Sequence, residues 1–342
     1  MMWMLRGAAA IVVGIVLAIG LPDPAPAAPP VPAVAGLPTT SPIAVAAYFA
    51  GLSTQRALEL AVSQPAAIGN LDGAPIALRY AANARDDGPA YVGRQILGYQ
   101  PGGDGRIVEV VGDLATATRI AVLVPGSDTT IADFDRGLGG VQRRAPAWQA
   151  RQLLAASGSS TAVVAWLGYE TPKGIGRAAI RSEWAEAGAD ALVRFVDGLV
   201  AQCPRARVTV IGHSYGTIVL AHAASRLPAA VTDLVALGSP GMDVSRASDL
   251  RTQARVWAGS DPTDWTLRLP NLRILGAGHG TNPTASSFGA LPLRVAAAAG
   301  HDGYFVSGTD ALASIAAVVD GSANAPLDGS FAGAMAGSRV AA

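Results

Sequence analysis

The sequence predicts an α/β domain, with a mostly parallel central sheet that opens on antiparallel strands, helices on both faces, and a small helical region ahead of it. Three observations carry this expectation. Short β-like runs come first, RQILGY (94–99), RIVEVVG (106–112) and RIAVLVPG (119–126), and the Gly-rich turn PGGDG (101–105) between the first two implies an antiparallel start. From there on, helical and strand-like segments alternate. The later strands are continuously apolar, as strands covered on both faces are.

Taken in order, a helix near 141–156 leads to TAVVAW (161–166), and a long amphipathic helix near 178–201 leads to RVTVIG (207–212). A helix over roughly 216–226 precedes VTDLVALG (231–238), and ARVWAG (254–259) and LPLRVAAA (291–298) are the last expected strands. A closing helix runs from about Asp310 to Val319. Together these define a main domain over residues 91–320. Ahead of it, residues 43–90 have helical spacing interrupted at Pro65 and between Asn70 and Gly73, which suggests two or three short helices packed on the main domain.

The two ends read differently. Residues 1–27 have the pattern of a signal peptide: Arg6, an apolar run from Gly7 to Leu21, then Ala25-Pro26-Ala27. The run falls short of the roughly 20 residues a spanning helix needs, so cleavage and a secreted or cell-envelope location are expected, with a retained anchor as the competing outcome. Residues 28–42 read as a Pro/Ala-rich linker and residues 321–342 as a disordered tail.

Charge and composition exclude several functions. With 25 basic and 25 acidic residues the formal net charge is zero, and Lys173 is the only lysine. No basic stripe points to nucleic acid. No closely spaced His/Cys set points to a metal. KGIGRAA (173–179) begins several residues past a strand and has no suitable acid beyond it, so no nucleotide cofactor is expected. Cys203 is the sole cysteine and reads as a half-buried structural thiol.

The chemistry centres on VTVIGHSYGTIVL (208–220), where a strand passes through Gly-His-Ser-Tyr-Gly into a helix. A GxSxG pattern alone means little in a chain with 40 glycines. Its setting is informative, because a sharp strand-to-helix turn lifts a serine Oγ above the sheet edge and leaves no room for Cβ atoms at Gly212 and Gly216. A serine hydroxyl needs a base, and the base needs an acid to orient it. Of the four histidines, His213 adjoins Ser214 and His222 lies within the following helix. His301, after the last expected strand, is the favoured base, with His279 as the alternative. Asp261, just past a strand end, is the favoured acid, with Asp264 and Asp243 as alternatives. The backbone amides of Ser127, in VLVPGSDTT (122–130), and of Tyr215 are placed to form an oxyanion hole. Trp166 and Tyr169 in WLGYETP (166–172), with Phe288, are candidates for a substrate pocket.

Those motifs, together with IGNLDGAPIALRYAANA (68–84), HGTNPTASSFGA (279–290) and GHDGYF (300–305), resemble the α/β-hydrolases, and more narrowly a largely uncharacterised family of exported actinobacterial α/β-hydrolases. The resemblance spans nearly everything between the linker and the tail. It implies an α/β-hydrolase fold, hydrolase-like activity and a triad on Ser214, Asp261 and His301. Glu170 of WLGYETP departs from the Asp expected there, which bears on the pocket rather than the triad. The expected function is that of a secreted serine esterase or lipase-like enzyme that cleaves a small-molecule or lipid ester through an acyl-enzyme. An acyltransferase with the same triad, and an inactive envelope-associated binding protein on the same scaffold, are the competing readings.

Overall fold

The computed structural model describes residues 33–34, 37, 41–86, 91–274 and 276–323. The signal-peptide and tail expectations fall on residues 1–27 and, beyond 323, on residues outside this set. Of the linker, residues 33–34, 37 and 41–42 are described; Val34 and Leu37 are buried against Val45, Phe49 and their neighbours, and Pro42 opens the first helix. At Val34 and Leu37 the segment packs rather than spans, because each supplies an apolar side chain to the small helical layer.

Eight strands form one sheet in the order β1-β2-β4-β3-β5-β6-β7-β8. They are β1 (Gln95–Gln100), β2 (Arg106–Val111), β3 (Arg119–Val124), β4 (Thr161–Leu167), β5 (Arg207–His213), β6 (Val231–Leu237), β7 (Arg255–Gly259) and β8 (Leu291–Pro292). β1 and β2 form the expected hairpin, β2 pairs antiparallel with β4, and every later pairing is parallel. The last strand is far shorter than LPLRVAAA suggested. Only Trp257–Leu291 and Ala258–Pro292 pair, Leu293 N–H adds a bond to Ala258 O, and the chain then turns inward to bury Val295 and Ala298. Proline has no N–H to extend a ladder, which suits this position to an edge.

Among the described residues, four helices precede the sheet: α1 (Pro42–Ala50), α2 (Thr54–Ser63), α3 (Pro65–Gly69) and α4 (Ile76–Asp86). Proline at the first position of α3 starts a separate helix, so the region holds one more than the upper expectation. α5 (Pro146–Ala156) follows β3. The long helix expected near 178–201 is two, α6 (Arg177–Ile180) and α7 (Glu183–Gln202). They part at extended Arg181 and at Ser182, whose hydroxyl is drawn to the carboxylate of Asp243 (2.5 Å). α8 (Gly216–Ala223) and α9 (Asp310–Val319) complete the set.

The helices cover both sheet faces. Leu192, Phe195, Val196 and Leu199 of α7 pack with Ile218 and Val219 of α8 against Val108, Val122, Val164 and Val210. On the opposite face Leu153 of α5 and Ile315 and Val319 of α9 meet Ile107, Leu123, Val163 and Ile211. Successive strand residues point to opposite faces, so two apolar layers require strands that are apolar throughout.

Residues 68–84 clasp the exposed edge of β1. Asn70 exchanges hydrogen bonds with the backbone of Tyr99 (2.8 and 2.9 Å), Asn83 donates to Ile96 O (2.8 Å) and Gly69 O (3.1 Å), and the Arg79 guanidinium reaches Leu97 O. These side chains satisfy an edge that would otherwise offer unpaired backbone groups. Asn83→Ala removes the side-chain donor to Ile96 O, while Gly69 O keeps its bond from Arg79 Nε (3.2 Å), and an expected loss of about 1–3 kcal/mol should appear in urea unfolding.

Candidate active site

The parallel strands end on one side of the sheet, and the chemistry collects there. At the end of β5 the chain turns through Ser214, whose φ of +55° lies in the left-handed region, and enters α8. This conformation costs a side-chain-bearing residue on the order of 1–3 kcal/mol and stands where it is over-determined by its surroundings. The two flanking glycines explain how it is held. A Cβ on Gly212 would lie 2.7 Å from Gly216 O, and one on Gly216 would lie 2.4 Å from Val124 O. Ser214 N–H continues the β5–β6 ladder by donating to Leu237 O (2.9 Å). The turn is therefore tied to the sheet while Oγ stands clear of it.

The loop after β3 closes over this serine. A Cβ on Gly126 would come within 2.7 Å of the Ser214 Cβ, so only glycine permits that approach. The loop is braced from behind by the segment after β4: Tyr169 OH donates to Pro125 O (2.7 Å), Thr171 Oγ1 to Thr129 O (2.9 Å), and Asp128 accepts from Gly174 N–H (2.7 Å). Ser127 and Tyr215 both line the cavity above Ser214. Among the described residues, neither backbone N–H finds a backbone acceptor.

His301 lines the same cavity, and its Nδ1 sits 2.9 Å from both carboxylate oxygens of Asp264. Here the structure departs from the favoured acid. Asp261 lies just past the strand end and is used up locally: Oδ1 accepts from the backbone and hydroxyl of Thr263 (2.8 and 2.5 Å), and Oδ2 accepts from Ala299 N–H (3.1 Å). It shapes the turn that carries Asp264 three residues further, to the imidazole. The Asp264 carboxylate is fully buried, and Tyr304 OH (2.5 Å) and the backbone and hydroxyl of Thr266 (2.9 and 2.8 Å) complete its shell. Burial pushes the Asp264 carboxyl up, but the bonds from His301, Tyr304 and Thr266 and the attraction of the imidazole outweigh it and hold it below the usual carboxylate range.

Asp243 and His279, the remaining candidates for acid and base, belong together at a second polar cluster. His279 Nδ1 bonds Asp243 Oδ1 (2.9 Å) and its Nε2 bonds Ala179 O (2.7 Å), so neither ring nitrogen is left for Ser214. The other Asp243 oxygen receives His222 Nε2 (2.7 Å) and Ser182 Oγ (2.5 Å). The cluster thereby ties the start of α7, α8 and Asp243 to His279, which lines the cavity. Burial raises the Asp243 carboxyl, yet its bonds to His222, His279 and Ser182 dominate and leave it strongly depressed. A depressed carboxyl contributes stability above its unfolded value of about 3.9 and loses it as pH falls towards the folded value. Asp243→Asn should therefore cost about 3 kcal/mol at pH 7, with the gap to wild type narrowing below about pH 4, as read by urea unfolding at about pH 7 and pH 3.

The pocket residues expected from sequence lie elsewhere. Trp166, Tyr169 and Phe288 are each 1% exposed and pack in the core, with the Trp166 and Tyr169 rings stacked 5.9 Å apart. The sheet is buried on both faces, so aromatic side chains at strand ends are drawn inward. The cavity, of about 760 Å³, is walled instead by Ile175, Ile180, Pro240, Trp265, Leu269 and Leu272, among others.

Three contributors to the site went unread in the sequence. His213 bonds His301 O through Nε2 (2.7 Å), with the two rings 4.6 Å apart. Burial, followed by repulsion from His301, pushes its imidazole down to about 4, so it is neutral and donates as a fixed prop. Trp265 places its ring 5.0 Å from that of His301. Gly238, at the end of β6, leaves the space that Asp264 and His301 occupy: a Cβ there would be 2.7 Å from Asp264 Oδ2 and 3.0 Å from His301 Nδ1. His213 and Trp265 each adjoin a site residue, Ser214 and Asp264, and that adjacency was the only signal they carried.

Among the described residues, no group of three or more His, Cys, Asp or Glu is placed to hold a metal ion, and no helix is long and apolar enough to cross a membrane.

Several known proteins are similar to this chain. The uncharacterized protein Rv2079 of Mycobacterium tuberculosis is 30% identical over 288 residues, covering 71% of this chain and 42% of the relative. The uncharacterized protein Mb0988c of Mycobacterium bovis is 33% identical over 146 residues, 41% of this chain and 54% of its own length. The chain thus spans about half the length of the curated relatives it matches. Among solved structures, a dienelactone hydrolase from Anabaena variabilis is similar at 18% identity, covering 48% of this chain and 70% of that one with a TM-score of 0.33. XC6422 from Xanthomonas campestris, described as an α/β serine hydrolase without a lid, is 16% identical over 61% of this chain and 86% of its own, with a TM-score of 0.36. Residues 100–274, which carry the sheet from the end of β1 through β7 and include Ser214 and Asp264, match the model of a family described as alpha/beta hydrolase, and the chain belongs to that family.

Proposed function

We propose that the protein is a serine hydrolase of carboxylic esters that works through an acyl-enzyme on Ser214. The observation that carries this reading is the placement of a strained serine in the same cavity as a histidine whose Nδ1 is held by a fully buried carboxylate. With Nδ1–H donated to Asp264, Nε2 is the nitrogen left to accept a proton. Ser214 Oγ attacks the ester carbonyl carbon as His301 Nε2 takes its proton, and the carbonyl oxygen becomes an oxyanion. The amides of Ser127 and Tyr215, the latter at the N-terminus of α8, stabilise that charge. Collapse of the intermediate breaks the ester C–O bond, and the imidazolium returns the proton to the departing alkoxide. Water then repeats the sequence on the acyl-enzyme, giving its proton to His301 and releasing the acid and Ser214. His213 acts as a positioning residue by holding the backbone of His301.

The test is covalent labelling of the purified protein by a fluorophosphonate, read by intact mass. Wild type is expected to gain one adduct and Ser214→Ala none. Equal labelling of the two, or no adduct on either, would remove Ser214 as the nucleophile.

A further inference from the structure

We infer that the site takes esters whose acyl part is a long, uncharged hydrocarbon chain, an inference that rests on the serine-hydrolase reading and specifies its substrate. Three features point to it.

The first is the wall. An ester must put its carbonyl carbon at Ser214, so its acyl chain runs through the cavity that starts there. That cavity is lined by Ile175, Ile180, Pro240, Leu269, Pro270 and Leu272. Most of its charged lining groups are engaged: Arg144 is paired with Asp302 (2.6 Å), Asp128 accepts from Gly174 N–H and both His279 nitrogens are taken, while Arg268 lines the cavity from the solvent-exposed side. A charged or polar acyl group laid along the Ile175, Ile180, Leu269 and Leu272 wall would give up water without a partner there, whereas each methylene laid against that wall gains.

The second is size. At about 760 Å³ the cavity far exceeds an acetyl group, which displaces on the order of two waters of about 30 Å³ each.

The third is the rim. Leu138, Ile175, Trp265, Leu269 and Leu272 line the cavity and are also exposed, Ile175 by 77% and Leu272 by 55%. Leu267 and Ile274, beside them in sequence, are exposed as well. Single exposed apolar residues are ordinary, but a group of them at the mouth of one cavity is a patch with a use. A chain leaving Ser214 along the apolar wall would cover it.

The experiment compares the rates at which ethyl and dodecyl fluorophosphonates inactivate the protein, below the concentration at which either forms micelles. The alkyl group on phosphorus takes the place of the acyl chain; Oγ–P forms, P–F breaks, fluoride leaves and His301 takes the serine proton. The dodecyl reagent is expected to react at least about tenfold faster, and Ile175→Ser with Leu272→Ser, both exposed positions, should reduce that ratio at least about threefold. Equal rates, or a faster ethyl reagent, would overturn the chain inference while leaving the nucleophile in place. An adduct with neither reagent would overturn the nucleophile, and the chain inference with it.

Discussion

Asp264→Asn is expected to lower kcat/KM on an activated short-chain ester by about 10⁴-fold, whereas Asp261→Asn is expected to keep it within about tenfold of wild type. The two aspartates stand three residues apart, and both are nearly inaccessible to solvent, so burial does not distinguish them. Their partners do. Asp264 presents both oxygens to His301 Nδ1 at 2.9 Å, and an asparagine there can offer an N–H to that nitrogen and so favour the wrong tautomer. The Asp261 carboxylate accepts from its own turn and from Ala299. Asp261→Asn is therefore expected to act on stability, with a loss of about 1–3 kcal/mol. Steady-state kinetics and urea unfolding on the two variants separate the roles.

His301→Ala is expected to have the larger effect, a fall in kcat of about 10⁵ to 10⁶, because it removes the proton acceptor and donor for both halves of the reaction. The comparison that gives this number meaning is His279→Gln. That residue lines the same cavity but has both nitrogens engaged, by Asp243 and Ala179. Its replacement should reduce activity by no more than about tenfold while lowering stability. A reversal, with His279→Gln the more damaging to kcat, would show that His301 is not the base.

The strands, their order of appearance and the elbow at Ser214 were legible because their physics is local. Continuous apolar runs mark strands covered on both faces, and glycines either side of one serine mark a turn with no room for side chains. Among four histidines, the place of His301 after the last expected strand favoured it over His279, and the structure sets it in the cavity of Ser214 with Asp264 on its Nδ1. Sequence favours Asp261 over Asp264 because it stands nearer a strand end, yet that nearness says nothing of which carboxylate the turn itself consumes. An Asp before Pro-Thr is well suited to being consumed. Trp166 and Tyr169 read as pocket residues from their place at the end of β4, but the packing of α7 over that face decides where a ring points. Tyr169 serves the site indirectly, through Pro125 O. The cavity wall, drawn from Ile175, Ile180 and the 265–272 segment, joins stretches far apart in the chain that show no shared pattern, and only the tertiary fold brings them together.

The central claim is that turnover passes through an ester of Ser214. Rapid-quench mass spectrometry of the wild-type protein mixed with a p-nitrophenyl ester tests it most directly. The expected result is a burst of p-nitrophenol together with an acyl group on the peptide that contains Ser214, absent from Ser214→Ala. Hydrolysis by wild type that proceeds undiminished in Ser214→Ala, or an acyl group on a different residue, would contradict it.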